Sequence, residues 1–164
     1  DAIPYNEICK HYIDYSRELG AWGTCSAIDC RKMDELADWV STNLELYSGK
    51  FASLDKDAIQ QYGARYDYEY FSFDIVDFFK TINDGVISDG LQDVMNKVVV
   101  VKGGLFGKDY KVIGSLELDE NRYCGLGMYF PYKVSNSSWN SYYETLSWYR
   151  AVGWENYKTP LTHE

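Results

Sequence analysis

Apolar residues recur along this chain at intervals of three and four more often than two, so helices dominate the expectation. Tyr5, Ile8, Cys9, Tyr12, Ile13 and Leu19 mark a first helix that Gly20 ends. Pro4 is tolerated at its start, where the missing N–H has no intrahelical partner. A β-prone stretch, Thr24–Ile28, follows, and Asp29 is placed to cap the next helix. That helix carries the clearest stripe, Met33, Leu36, Ala37, Val40, Leu44 and Tyr47, and stops at Gly49. Ser53 reads as the cap of a shorter helix over residues 54–62, closed by Gly63.

Tyr66, Tyr68 and Tyr70 alternate with Asp67 and Glu69, the period of an extended strand or an edge loop. Asp74 caps a helix bearing Ile75, Phe78, Phe79 and Ile82. From Gly90, residues Leu91, Val94, Met95, Val98 and Val101 predict a helix running into extended chain, broken at Gly103 and Gly104. "YKVIGSLEL" and "CGLGMYFPY", separated by "DENRY", read as two strands of a hairpin that Pro131 ends. Ser137 or Ser138 caps a last helix with Tyr143, Leu146 and Tyr149 inward, and Trp154 pins a final turn. The pattern predicts one α+β domain over residues 1–164, mainly helical, with a short β-hairpin and room for one extra strand.

Composition changes this picture in two ways. Aromatic residues make up 17%, sixteen of them tyrosines, and tyrosine joins an apolar body to a polar tip. Such a content suits a core rim, an interface or a surface on which sugars stack. The net charge of -9 disfavours nucleic acid and anionic membranes as partners. No apolar run approaches the roughly 20 residues of a spanning helix, so membrane insertion is not expected. No signal peptide opens the sequence, which is compatible with a mature exported product or a cytosolic one.

Candidate chemistry is sparse. Of Cys9, Cys25, Cys30 and Cys124, only Cys25 and Cys30 have ligand-like spacing, and no second pair matches them. The expectation is small buried hydrophobes with one bridge at most, no metal site and no cofactor. His11 lies in the first helix and His163 near the end, neither placed to activate a thiol. Gly125-Leu126-Gly127 lacks the third glycine of a dinucleotide fingerprint, where Phe130 stands. "GGLFGK" is one residue short of a phosphate loop and is followed by Asp109. The carboxylate pairs Asp55/Asp57, Asp67/Glu69, Asp74/Asp77 and Glu117/Asp119 read first as caps and solvated faces, and a glycosidase built on them ranks last. Tyr66, Tyr68 and Tyr70 are the candidate binding stripe; the competing reading packs them on a neighbouring helix or domain.

Four blocks add a resemblance. "TCSAIDCRKMDELADWV" is similar to the T-x-S-x-[IV]-D strand and K-[ML]-x-E-L helix of clostripain-like cysteine peptidases, through Thr24, Ser26, Ile28, Asp29, Lys32, Met33, Glu35 and Leu36. "FDIVDFF" resembles that family's D-[LI]-x-D-F helix. "GLGMYFP" resembles its G-L-S-[IM]-Y-F-P strand, with Gly127 in place of serine. "YYETLSWYRAVGW" resembles its closing helix, and all four occur in the family's order. The resemblance implies a caspase-related parent that cleaves after Arg or Lys, with its catalytic His and Cys upstream of these blocks. None of the four cysteines lies in the family's D-[AS]-C motif, so no catalytic residue carries over. The expectation is a non-catalytic C-terminal structural domain of a secreted, periplasmic or cell-surface bacterial peptidase. Its partner would be the missing N-terminal catalytic half. The alternative is an aromatic-rich binding module for glycans or a protein ligand.

Overall fold

The computed structural model describes residues 3–20, 23–62, 72–107, 118–130 and 137–157. Helix α1 (Tyr5–Glu18) leads to strand β1 (Thr24–Ile28). Asp29 then accepts from the Arg31 N–H at 3.0 Å, capping a 3-10 turn that feeds α2 (Met33–Tyr47). Strands β2 (Gln61–Tyr62) and β3 (Ser72–Asp74) precede α3 (Ile75–Ile82). Helix α4 (Leu91–Val98) runs directly into β4 (Val99–Gly104), as the mixed period predicts. Strand β5 (Gly127–Tyr129) and the short helices α5 (Ser137–Tyr143) and α6 (Ser147–Ala151) complete the order. The mainly helical α+β expectation holds.

Among the described residues, two small antiparallel sheets divide the strands. One pairs β1 with β4; the other has the order β2-β3-β5, with Phe73 opposite Met128. The main core joins α2, α3, α4 and the second sheet. Its centre is Phe130, whose ring meets Phe78 at 4.9 Å, Phe51 at 5.4 Å and Trp154 at 5.5 Å. Tilted and edge-on packing suits the ring quadrupoles. A second, much smaller cluster of Cys9, Ile13 and Leu105 attaches α1 to the first sheet.

Three expectations change. The helix over residues 54–62 shrinks to the turn Lys56–Ala58, capped by Asp55 rather than Ser53. Past that turn Ile59 is extended, the Gln60 N–H reaches Asp77 Oδ2 at 2.7 Å, and Gln61–Tyr62 pair with β3. A charged acceptor outbids the local helical pattern there. The single last helix is two: Leu146 is extended between α5 and α6, and Thr145 Oγ1 donates to the Tyr142 carbonyl at 2.7 Å. Gly103 and Gly104 do not break the chain but end β4 in register with β1. A Cβ on Gly103 would stand 3.1 Å from Cys9 Sγ, so the glycine lets α1 lie close on the sheet. Apart from Leu118, the first hairpin strand, "YKVIGSLEL", lies outside the described residues, as do Tyr66, Tyr68 and Tyr70.

Candidate functional site

Two features converge on β3 and β5: a buried polar hub where β3 passes into α3, and an open aromatic cleft beside the strands. The hub follows from Asp74, which ends β3 and caps α3. Its Oδ1 accepts from the Val76 and Asp77 N–H groups, each at 3.0 Å. Oδ2 accepts from the Cys124 N–H at 2.6 Å and from the Tyr62 hydroxyl. Burial pushes the Asp74 carboxyl pKa up, and the four donors act against that shift. Burial also pushes the Tyr62 hydroxyl up, with the Asp74 charge adding to it. Three residues further, buried Asp77 accepts from the Gln60 N–H and from Arg122 Nε at 3.0 Å, while Arg122 also donates to the Ala58 carbonyl. The hub therefore ties β2, β3, α3 and the loop before β5 together. Two satisfied carboxylates that cap and cross-link are suited to holding a fold, and Asp74 is fully buried.

The cleft encloses about 570 Å³, a size typical of small-molecule sites. Met33 of α2, Ile75, Tyr129 of β5, Trp139 and Tyr142 of α5, and Trp148 of α6 form its walls. Tyr129 is fixed by its hydroxyl, which donates to Asn140 Oδ1 at 2.5 Å, and by the Tyr143 ring at 4.4 Å. Burial pushes the Tyr143 hydroxyl pKa up, against the nearby indoles of Trp154 and Trp148. Gly127 forms part of the floor, where a Cβ would collide with Ser72 Oγ on the neighbouring strand. That close approach gives Gly127 a physical reason. Among the described residues lining the cleft there is no carboxylate, histidine or cysteine. Its chemistry is the uptake of an apolar or aromatic group.

The thiols lie elsewhere, and all four are free. Burial pushes Cys124 up to about 12, with the Asp74 charge adding to it. Burial likewise pushes Cys9 up to about 11, and contact with Cys25 adds to it. Thiols so shifted are poor nucleophiles at neutral pH. Cys30 is exposed rather than a buried hydrophobe, because the turn after Asp29 points it outward. His11 follows Cys9 by two positions on α1, so the two side chains leave opposite sides: Cys9 faces the sheet and His11 is exposed. His163 and the tyrosine stripe at 66–70 lie outside the described residues. Among the described residues no three metal-ligating side chains gather. The sequence reading missed the cleft, because Met33, Ile75, Tyr129, Trp139 and Trp148 belong to separate elements. The available signal was the surplus of aromatics off the inward stripes, Trp148 and Tyr142 among them.

No protein-family model matches the chain, and no curated protein sequence does. Solved structures do. The fold superposes on a B. fragilis cysteine protease with a TM-score of 0.69 at 19% identity, covering 94% of this chain and 68% of that one. It also superposes on an inactive zymogen of a C11 protease from Parabacteroides distasonis, with a TM-score of 0.63 at 21% identity, covering 89% of this chain and 42% of that one. The chain has the fold of part of these proteases, as the four sequence blocks imply.

Proposed function

We propose that this chain is the non-catalytic C-terminal structural domain of a clostripain-like cysteine endopeptidase that cleaves after Arg or Lys. It packs on the caspase-like catalytic half and supports it, and the complete protein works outside the bacterial cytoplasm, secreted, periplasmic or cell-surface. The carrying observation is the asymmetry of the fold match: nearly all of this chain is covered, against 68% of one protease and 42% of the other. The raised thiol pKa values of Cys9 and Cys124, and the use of Asp74 and Asp77 as structural anchors, fit a supporting role. The test is hydrolysis of Arg- and Lys-peptide fluorogenic substrates by this chain alone. No turnover above buffer is expected; turnover that iodoacetamide abolishes would place the catalytic thiol within this chain and end the proposal.

A second reading, a binding module, draws support from the aromatic cleft. A glycan array repeated with Tyr66, Tyr68 and Tyr70 changed to Ala, and separately with Trp139→Ala, discriminates. Specific signal lost in either variant favours the module.

A further inference from the structure

Helix α1 carries two apolar stripes, and the fold uses one. Cys9, Ile13 and Ser16 are buried against the first sheet. Tyr5, Ile8, Tyr12, Tyr15 and Leu19 recur at spacings of three and four and stay exposed: Ile8 at 53%, Tyr15 and Leu19 at 62% each. At 3.6 residues per turn this second stripe lies about a quarter-turn around the helix from the first. It faces sideways along the sheet rather than straight out to solvent.

Its direction can be fixed. Lys10, Asp14 and Arg17, on the other flank of α1, share a surface pocket with Gly104 and Phe106, so that flank overhangs β4. The apolar stripe therefore overhangs β1. Tyr12 marks the same side: a Cβ on Gly23, just before β1, would stand 3.1 Å from Tyr12 Cε1. Among the described residues, β1 pairs with β4 on one edge and with no strand on the other. Among the described residues, an unpaired strand edge and a lateral apolar helix stripe thus lie on one side of the molecule, one above the other.

Each feature alone is a liability in a soluble domain. Open edges invite strand addition, and contiguous apolar patches mark interaction sites. Together they have the form of an α/β layer cut between two of its units. From this juxtaposition we infer that the α1–β1 side is the docking surface for a strand-plus-helix unit of the caspase-like half. The added strand pairs with β1 through backbone hydrogen bonds, and its helix lays an apolar stripe along Tyr5, Ile8, Tyr12, Tyr15 and Leu19. The occupant rests on the function proposed above and on the two proteases, which extend well beyond the part this chain matches. The surface itself rests on α1 and β1 alone.

The experiment is hydrogen–deuterium exchange on the complete gene product and on this chain alone. In the complete product, amides of α1 and of Thr24–Ile28 should exchange at least tenfold more slowly than in the isolated chain. Tyr12→Glu with Tyr15→Glu should remove that extra protection while α2 and α3 keep theirs, which separates docking from misfolding. Unchanged exchange at α1 and β1, in a complete product that cleaves Arg or Lys peptides, overturns the docking surface and leaves the proposed function standing. A complete gene product without a caspase-like half overturns both. An isolated chain that sediments as a dimer with β1 already protected makes a second copy the occupant and overturns the assignment.

Discussion

The two sheets of this small domain are finished to different degrees. Around β2-β3-β5, one face is packed into the main core and the strands are tied down: Phe73 and Met128 are buried, and Asp74 and Asp77 bind the strands to α3 and to the loop before β5. Around β1–β4, one helix is held by a cluster of three buried residues, with an exposed apolar stripe and, among the described residues, an unpaired strand edge beside it. The contrast teaches where stability resides and motivates the docking surface proposed on α1 and β1. A side chain buried in the first region holds the fold, whereas one exposed on α1 is available for a partner.

Substitutions should separate the regions sharply. Phe130→Ala empties the centre of the main core and should cost about 3–5 kcal/mol. Read by thermal unfolding, that is a fall of roughly 2–4 °C per kcal/mol for a chain of this size. Asp77→Ala leaves Arg122 and the Gln60 N–H without their carboxylate and should also cost about 3–5 kcal/mol, measured by urea titration. A smaller loss, about 1–3 kcal/mol, is expected for Gly127→Ser, because its Cβ must displace Ser72. Tyr15→Glu on the exposed stripe should change the stability of the isolated chain by no more than about 0.5 kcal/mol. A large loss there would mean that α1 is as deeply committed to the fold as α3.

The weakest effect is electrostatic. Hydrogen bonds from Lys32 and then Lys97 lower the Glu35 carboxyl to about 2, tying α2 to α4 at the surface. A depressed folded-state pKa means that this stabilisation is fully present above the ordinary carboxylate range and is lost as pH falls toward 2. Melting temperature should therefore drop across that acid window, and Glu35→Gln should flatten the drop slightly.

Much of the main core is legible in the sequence, since local period and cap agree there: the α2 stripe runs from Met33 to Tyr47, and Asp74 sits where an N-cap belongs. The stretch over residues 54–62 was misread because its decisive partner, Asp77, lies 17 positions away from Gln60. The split between α5 and α6 escaped for a related reason: the apolar spacing of Tyr143, Leu146 and Tyr149 continues through a backbone that turns at Leu146. On α1, Tyr5, Ile8 and Tyr12 were pooled with Cys9 and Ile13 into one stripe, and only the placement on β1 and β4 separates the two faces. The cleft was not legible at all, because its walls are assembled from elements far apart along the chain.

Native-state hydrogen exchange in rising denaturant, on the isolated chain, tests the central contrast most directly. Amides of α3 and of the β3–β5 ladder should exchange only through global unfolding, with a steep dependence on denaturant, while α1 and β1 should open locally, with a shallow one. If the two regions instead share one exchange free energy and one slope, the domain is a single finished unit and the division drawn between its sheets is wrong.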